Sequence, residues 1–321
     1  MKKAIFFALV ATTTATFVSC GNPNPNAKNS DDGPTHGKCA ISVDETFAPL
    51  IDSQLAVFHA IYKKTHIDSK TCSEAEAINL LLADSVRNAI ISRTLTQKEI
   101  DVVKSQGYSP PKALHIATDA VAVITHPSNP NTAMKFEMLQ AVTQGKVRNW
   151  SGVNGGKKSG DITIVFDNPN SSTVRLITDT LNNGAALPPN VFATQKTAEV
   201  IAYVAKTPNA IGFIGTNWIA DEDDPEHQKF LSQIGVVAIN SKLGTTSCGE
   251  SWLPFQAYIA LKYYPLRRNI YSVCRESRTG LGTGFAAFLA SERGQRIVAK
   301  AALVPATAPL RIVDFKKNKQ R

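Results

Sequence analysis

The sequence predicts an α/β architecture in two lobes, with mainly parallel sheets and helices on both faces. Three observations predict it. Short apolar, β-branched runs alternate with helix-period stretches along most of the 321 residues. The βα series divides near residues 114–126 and rejoins near residues 255–261, the pattern expected of crossover hinge strands joining two lobes across a cleft. One junction, Phe166-Asp167-Asn168-Pro169-Asn170-Ser171-Ser172-Thr173-Val174-Arg175, sets an Asn/Ser/Thr-rich turn between an apolar run and a helical one. Side-chain oxygens there cap a helix, whose free N–H groups and dipole make an anion site.

Taken in order, Cys39-Ala40-Ile41-Ser42-Val43 reads as a buried strand, followed by a helix over residues 48–63. Its apolar residues Leu50, Ile51, Leu55, Phe58 and Ile61 fall at helical spacing. Ser73-Glu74-Ala75-Glu76 and Thr96-Gln97-Lys98-Glu99 both fit capping boxes that start helices. Ala89-Ile90-Ile91 is a short strand between them, and residues 114–125 form a long strand ending in a Pro/Asn loop. A helix over residues 135–142 stops at Gly145, and residues 162–165 give the strand before the central junction. A helix over residues 197–206, strands over 210–215 and 234–239, and helices over 284–289 and 292–300 complete the alternation. Residues 255–261 and 269–273 read as paired strands.

The amino terminus carries an export pattern. Met1-Lys2-Lys3 is a basic start, and residues 4–18 are apolar or small but too few to span a bilayer. Phe17-Val18-Ser19-Cys20-Gly21 resembles a lipobox, which implies a signal peptide over residues 1–19 and a lipid on Cys20; ordinary secretory cleavage is the alternative. Residues 20–38, rich in Asn, Pro and Gly, read as a flexible tether. Of the remaining cysteines, Cys39, Cys72, Cys248 and Cys274, sequence fixes no pairing, and Cys248 and Cys274 stand equally as a bridge or as free thiols.

The formal charge of +9 permits a nucleic-acid partner, but the basic residues are scattered apart from the carboxy-terminal run ending Lys319-Gln320-Arg321. Without aromatic–basic interleaving or Cys/His spacing, no nucleic-acid or metal site is expected. Gly-x-Ser-x-Gly, His-Glu-x-x-His and Walker patterns are missing, so no catalysis and no cofactor are expected. Gly280-Leu281-Gly282-Thr283-Gly284 reads as a helix cap, and Asp221-Glu222-Asp223-Asp224 as a solvated loop.

Several segments together resemble the phosphate-binding proteins (PstS-like) of bacterial ABC phosphate transporters. They are Thr46-Phe47-Ala48-Pro49, Ser92-Arg93-Thr94-Leu95-Thr96, Ile116-Ala117-Thr118-Asp119-Ala120-Val121, Gln144-Gly145-Lys146-Val147-Arg148-Asn149-Trp150, Tyr264-Pro265-Leu266-Arg267-Arg268 and Gly294-Gln295-Arg296-Ile297-Val298. The resemblance implies a type II periplasmic-binding-protein fold, with one lobe from residues 39–125 plus 258–321 and the other from 126–257. It implies a monomer that captures phosphate or another small solute between its lobes and passes it to an ABC permease. Carried onto this chain, ligand contacts fall on Thr46, Phe47, Ser92, Ser171, Ser172 and Thr173, with Ser73, Glu74, Arg93, Asp167 and Arg175 lining the same cleft. Two positions depart from the family: Glu74 stands near an expected serine, and Asp167 where many members have arginine. A carboxylate beside a dianion is unfavourable unless protonated or paired, and Arg93 and Arg175 are the candidates to pair with them. The alternatives are the same fold binding a different solute, neutral or amine-bearing, or a sensor or structural envelope lipoprotein; and Glu74 merely facing solvent in the first turn of its helix.

Overall fold

The computed structural model describes residues 32–220, 225–240 and 250–308. The expected signal peptide, Cys20, most of the tether, the acidic run from Asp221 and Cys248 lie outside the described residues. The first half holds β1 (His36–Asp44), α1 (Ala48–Ile61), β2 (Lys64–Cys72), α2 (Glu74–Leu82), β3 (Asn88–Ile91), α3 (Gln97–Ser105) and β4 (Lys112–Thr125). It continues through β5 (Ala133–Lys135), α4 (Phe136–Thr143), β6 (Thr163–Phe166), α5 (Ser172–Leu181), β7 (Val191–Ala193), α6 (Thr197–Lys206) and β8 (Ala210–Gly215). Then come α7 (Pro225–Ser232), β9 (Gly235–Asn240), β10 (Ser251–Trp252), α8 (Gln256–Ala260), β11 (Arg267–Cys274), α9 (Leu281–Ala290), α10 (Glu292–Lys300) and β12 (Val304–Pro305). β1 starts at His36, inside the stretch expected as tether. No helix among the described residues is long and apolar enough to cross a membrane.

The strands form one curled, mixed sheet in the order β2-β1-β3-β11-β4-β8-β6-β7. Pairing is parallel within β2-β1-β3 and β8-β6-β7, where helices return the chain. It is antiparallel where β11 and β4 connect those groups. β4 changes partner along its length: residues 112–120 pair with β11, and residues 121–125 pair with β8. Its second half is buried throughout, which explains the unbroken Ala120-Val121-Ala122-Val123-Ile124 run.

Each group has its own core. Beside β1 and β3, Phe58 packs edge-on against Phe285 and Phe288, with ring centroids 5.3 Å apart in both pairs. Beside β6 and β8, Phe166 stacks on Phe213 at 4.8 Å in a cluster that includes Trp150 and Tyr264. Cys39, Cys72 and Cys274 are free thiols.

Both capping sequences start helices, but only one is a full box. Thr96 Oγ1 accepts from Glu99 N–H and Glu99 accepts from Thr96 N–H, at 3.4 and 2.7 Å. At α2, Ser73 Oγ accepts from Glu76 N–H at 3.3 Å, whereas the Glu76 carboxylate pairs with Lys70 at 2.8 Å. The expected strand over residues 255–261 is instead the helix α8; its partner segment, residues 269–273, is indeed a strand, β11, but pairs with β3 and β4. Gln256, Ala257, Ala260 and Leu261 are good helix formers that the apolar run conceals. Gly280 is the N-cap of α9, but residues 281–284, expected as part of the cap, form the first turn of the helix; Glu276 accepts from Thr283 N–H at 2.7 Å and Gly282 N–H at 3.3 Å.

Candidate functional site

The two parallel groups bring three chain ends to one place. β1 ends at Asp44 and turns through Glu45–Phe47 into α1, β6 ends at Phe166 and turns into α5, and β8 ends at Gly215. Asp44, Thr46, Asp167, Ser172 and Thr173 are all buried at this junction. Ser171 caps α5, its Oγ accepting from Val174 N–H at 3.2 Å, so the Asn/Ser/Thr turn of the sequence does form a helix entry.

Polar contacts tie these ends together. Asp44 Oδ1 accepts from Thr46 N–H at 3.2 Å and Thr46 Oγ1 at 3.1 Å, and Asp44 Oδ2 accepts from Ser172 N–H at 3.3 Å. Thr46 Oγ1 also lies 3.4 Å from Asp167 Oδ2 and 3.5 Å from Thr173 Oγ1. Asp167 Oδ1 accepts from Ser171 Oγ at 2.5 Å. Arg268, at the start of β11, donates from Nη1 to Ser172 Oγ at 2.8 Å and Thr173 Oγ1 at 3.2 Å. Its Nε and Nη2 donate to Asp119 Oδ2 at 3.0 and 2.8 Å, and its guanidinium lies 4.6 Å over the Phe47 ring. Gly215 permits this crowding, since a Cβ there would meet Asn217 Oδ1 at 2.6 Å and Thr46 Cγ2 at 2.7 Å.

A second group sits beside the first on the next turn of α5. Glu74 is buried, not solvent-facing; its Oε1 accepts from Ser92 N–H and Ser92 Oγ, both at 2.8 Å, and its Oε2 accepts from Arg175 Nε at 2.6 Å. Arg175 Nη2 also donates to Ser92 Oγ at 2.6 Å. Burial raises the Glu74 pKa, but the Arg175 contact and charge outweigh it and hold the carboxyl below its usual range.

Asp44, Glu45 and Asp167 shift the other way. Burial raises all three, Arg268 only partly offsetting it at Asp44 and the Thr197 hydrogen bonds at Glu45. At Asp167 burial, opposed by Ser171 but reinforced by Asp44 and Glu45, pushes the carboxyl up to about 7.

Of the residues expected to line a cleft, Thr46, Phe47, Asp167, Ser171, Ser172 and Thr173 come together, with Glu74, Ser92 and Arg175 adjoining. Ser73 serves as the cap of α2. Arg93 turns away, its guanidinium held by both Glu99 oxygens at 2.7 and 2.8 Å. Arg175 therefore neutralises Glu74, and neither arginine hydrogen-bonds Asp167.

This geometry can be set beside known proteins. Residues 28–293 match the family model described as the PBP superfamily domain. The chain belongs to that superfamily. The "Phosphate-binding protein PstS" of Borreliella burgdorferi is 26% identical over 308 residues, spanning 93% of this chain and 96% of the relative. The protein of that name from Bacillus subtilis is 21% identical over 314 residues, 95% and 94% of the two chains. Among solved structures, a putative phosphate ABC transporter substrate-binding protein with bound phosphate from Clostridium perfringens superposes with a TM-score of 0.68 at 22% identity. It covers 84% of this chain and all of that one. PstS from Borrelia burgdorferi gives 0.52 at 24% identity, over 84% and 98%. These likenesses establish the fold.

Within this superfamily member, sequence reasoning assigned no role to Asp44, Glu45, Asp119 or Arg268. Asp119 and Arg268 both lie in segments that carry the family resemblance, and Asp44 stands two residues before Thr46. The available signal was the position of each charge inside an apolar strand or at its end, where burial demands a partner.

Proposed function

We propose that this chain is the solute-binding component of an ABC transporter and takes phosphate or a related oxyanion at the β1–α5–β11 junction. The observation that carries the reading is the convergence of the Ser172 and Thr173 hydroxyls on one buried guanidinium, Arg268, with the Thr46 hydroxyl beside that of Thr173. Donors from separate loops, gathered around a fixed positive charge, suit a tetrahedral oxyanion. The relatives' phosphate-binding names agree with it. In this reading residues 39–125 plus 258–321 and residues 126–257 are two lobes, the site lies between them, and bending of β4 and β11 opens and closes it. Thr46, Phe47, Ser171, Ser172, Thr173 and Arg268 contact the solute, Ser92, Glu74 and Arg175 flank it, and the protein binds as a monomer. Calorimetric titration with phosphate tests this: one-to-one saturable binding is expected, and Thr173→Val weakens it by about tenfold or more through the lost hydroxyl. No heat at millimolar phosphate rejects the phosphate assignment.

The same reading makes the protein an exported lipoprotein held to a membrane through Cys20, where it meets its permease. Cys20→Ser is expected to move it from the membrane fraction to the soluble fraction on cell fractionation; an unchanged membrane fraction rejects the anchor.

One observation favours a different solute. Five carboxylates (Asp44, Glu45, Glu74, Asp119, Asp167) surround two guanidinium groups, Arg175 and Arg268. That excess suits a protonated or amine-bearing ligand, which mass spectrometry of material released from the purified protein would reveal.

A further inference from the structure

The carboxylate excess has a specific geometry at Asp44. Its two oxygens engage Thr46 N–H, Thr46 Oγ1 and Ser172 N–H, one donor set from the β1–α1 turn and one from the start of α5. Those are the groups an oxyanion needs from these two loops. Resting on the phosphate reading, we propose that Asp44 is an internal counter-ligand: its carboxylate holds the oxyanion's donors, and an oxyanion takes them only as Asp44 yields them and gains a proton from solvent.

The surroundings of Asp44 support this exchange. It is wholly buried, so an anionic carboxylate beside an incoming phosphate has no water to screen the repulsion. Arg268 on β11 is the cation facing it, and that guanidinium is already bound to Asp119 of β4. Glu74 of α2, Glu45 of the turn and Asp167 at the end of β6 add negative charge. Cys72 of β2, its register partner, is a thiol that burial pushes up to about 12 and so stays neutral. Arg175 is taken by Glu74. Burial already raises the Asp44 pKa, and an added anion raises it further. Once protonated, the Asp44 O–H donates to an oxyanion oxygen where the carboxylate would repel it. The proton is supplied by solvent, so capture consumes one proton beyond any taken by the phosphate itself.

Calorimetry of phosphate binding by the full protein at pH 6, 7 and 8, in buffers of different ionisation heat, counts the protons taken up. The wild type is compared with Asp44→Asn and Asp44→Ser. Phosphate's own titration is common to all three and cancels in the difference. The expected result at pH 8 is about one proton fewer for each variant and binding at least about tenfold tighter than wild type. Should one variant fail to fold, the other carries the comparison. Wild-type proton uptake and affinity retained in the variants, or weaker binding by them, overturns the counter-ligand while leaving the phosphate reading intact. Absence of binding by wild type at every pH overturns both.

Discussion

Arg268→Ala is expected to lower the unfolding free energy by about 3–5 kcal/mol, the usual cost of removing one member of a buried ion pair. Both side chains of the pair are inaccessible, at 2% exposure for Arg268 and 0% for Asp119. Asp119 Oδ2 takes both guanidinium bonds, and only Thr216 Oγ1, at 2.6 Å to Oδ1, remains once the arginine is gone. The truncation also strips Ser172 and Thr173 of their donor and leaves the Phe47 ring without its guanidinium cover. Arg268→Lys keeps the charge but not the fork, so its loss falls between wild type and alanine. The double variant Arg268→Ala with Asp119→Ala should recover part of the loss, because no buried charge is then stranded. Urea midpoints at pH 7 measure all three; a loss under 1 kcal/mol for Arg268→Ala would mean that Asp119 is rescued by water or protonation.

Why sequence exposed one half of this site and hid the other follows from distance along the chain. Ser171, Ser73 and Thr96 announce themselves because a cap bonds an N–H three residues away, and local spacing is what a sequence displays. The Asp44–Ser172, Arg268–Asp119 and Arg268–Ser172 contacts join residues 128, 149 and 96 positions apart. No pattern within one element encodes them. Arg93 and Arg175 looked equivalent as neutralising groups, yet the capping box of α3 places Glu99 within reach of Arg93 and takes it out of the site. The fold shows the same division. Apolar strands such as β3, β4 and β8 are legible because burial on both faces forces apolar runs. β2 (Lys64–Cys72) is not, because only Ile67 on this strand, paired on one side to β1, is buried and polar residues fill the rest.

Asp167→Asn is expected to stabilise the protein at pH 8, by on the order of 3–4 kcal/mol, and by roughly a third as much at pH 5. Asp167 is 2% exposed, and its carboxyl sits at about 7, whereas an aspartate in an unfolded chain titrates at roughly 3.9. Between those values the native protein keeps a proton that the unfolded chain has released. The native state therefore binds more protons there, and stability falls as pH rises from about 4 to about 7; the penalty is absent below that window and complete above it. Asp44 and Glu45, also raised by burial, slope the same way. Glu74 and Glu99, both held low by arginine, slope oppositely, but their contribution is lost only at pH below the ordinary carboxylate range. The stability maximum should thus lie on the acid side of neutrality. Asparagine keeps an oxygen for Ser171 Oγ and offers an amide hydrogen toward Thr46 Oγ1, so it reproduces the protonated carboxyl without its titration. Urea midpoints at pH 5 and pH 8 check it. If wild type and Asp167→Asn lose the same stability between those pH values, Asp167 is ionised throughout in the native protein, and the burial of its charge must be compensated by the Ser171 hydrogen bond and Arg268.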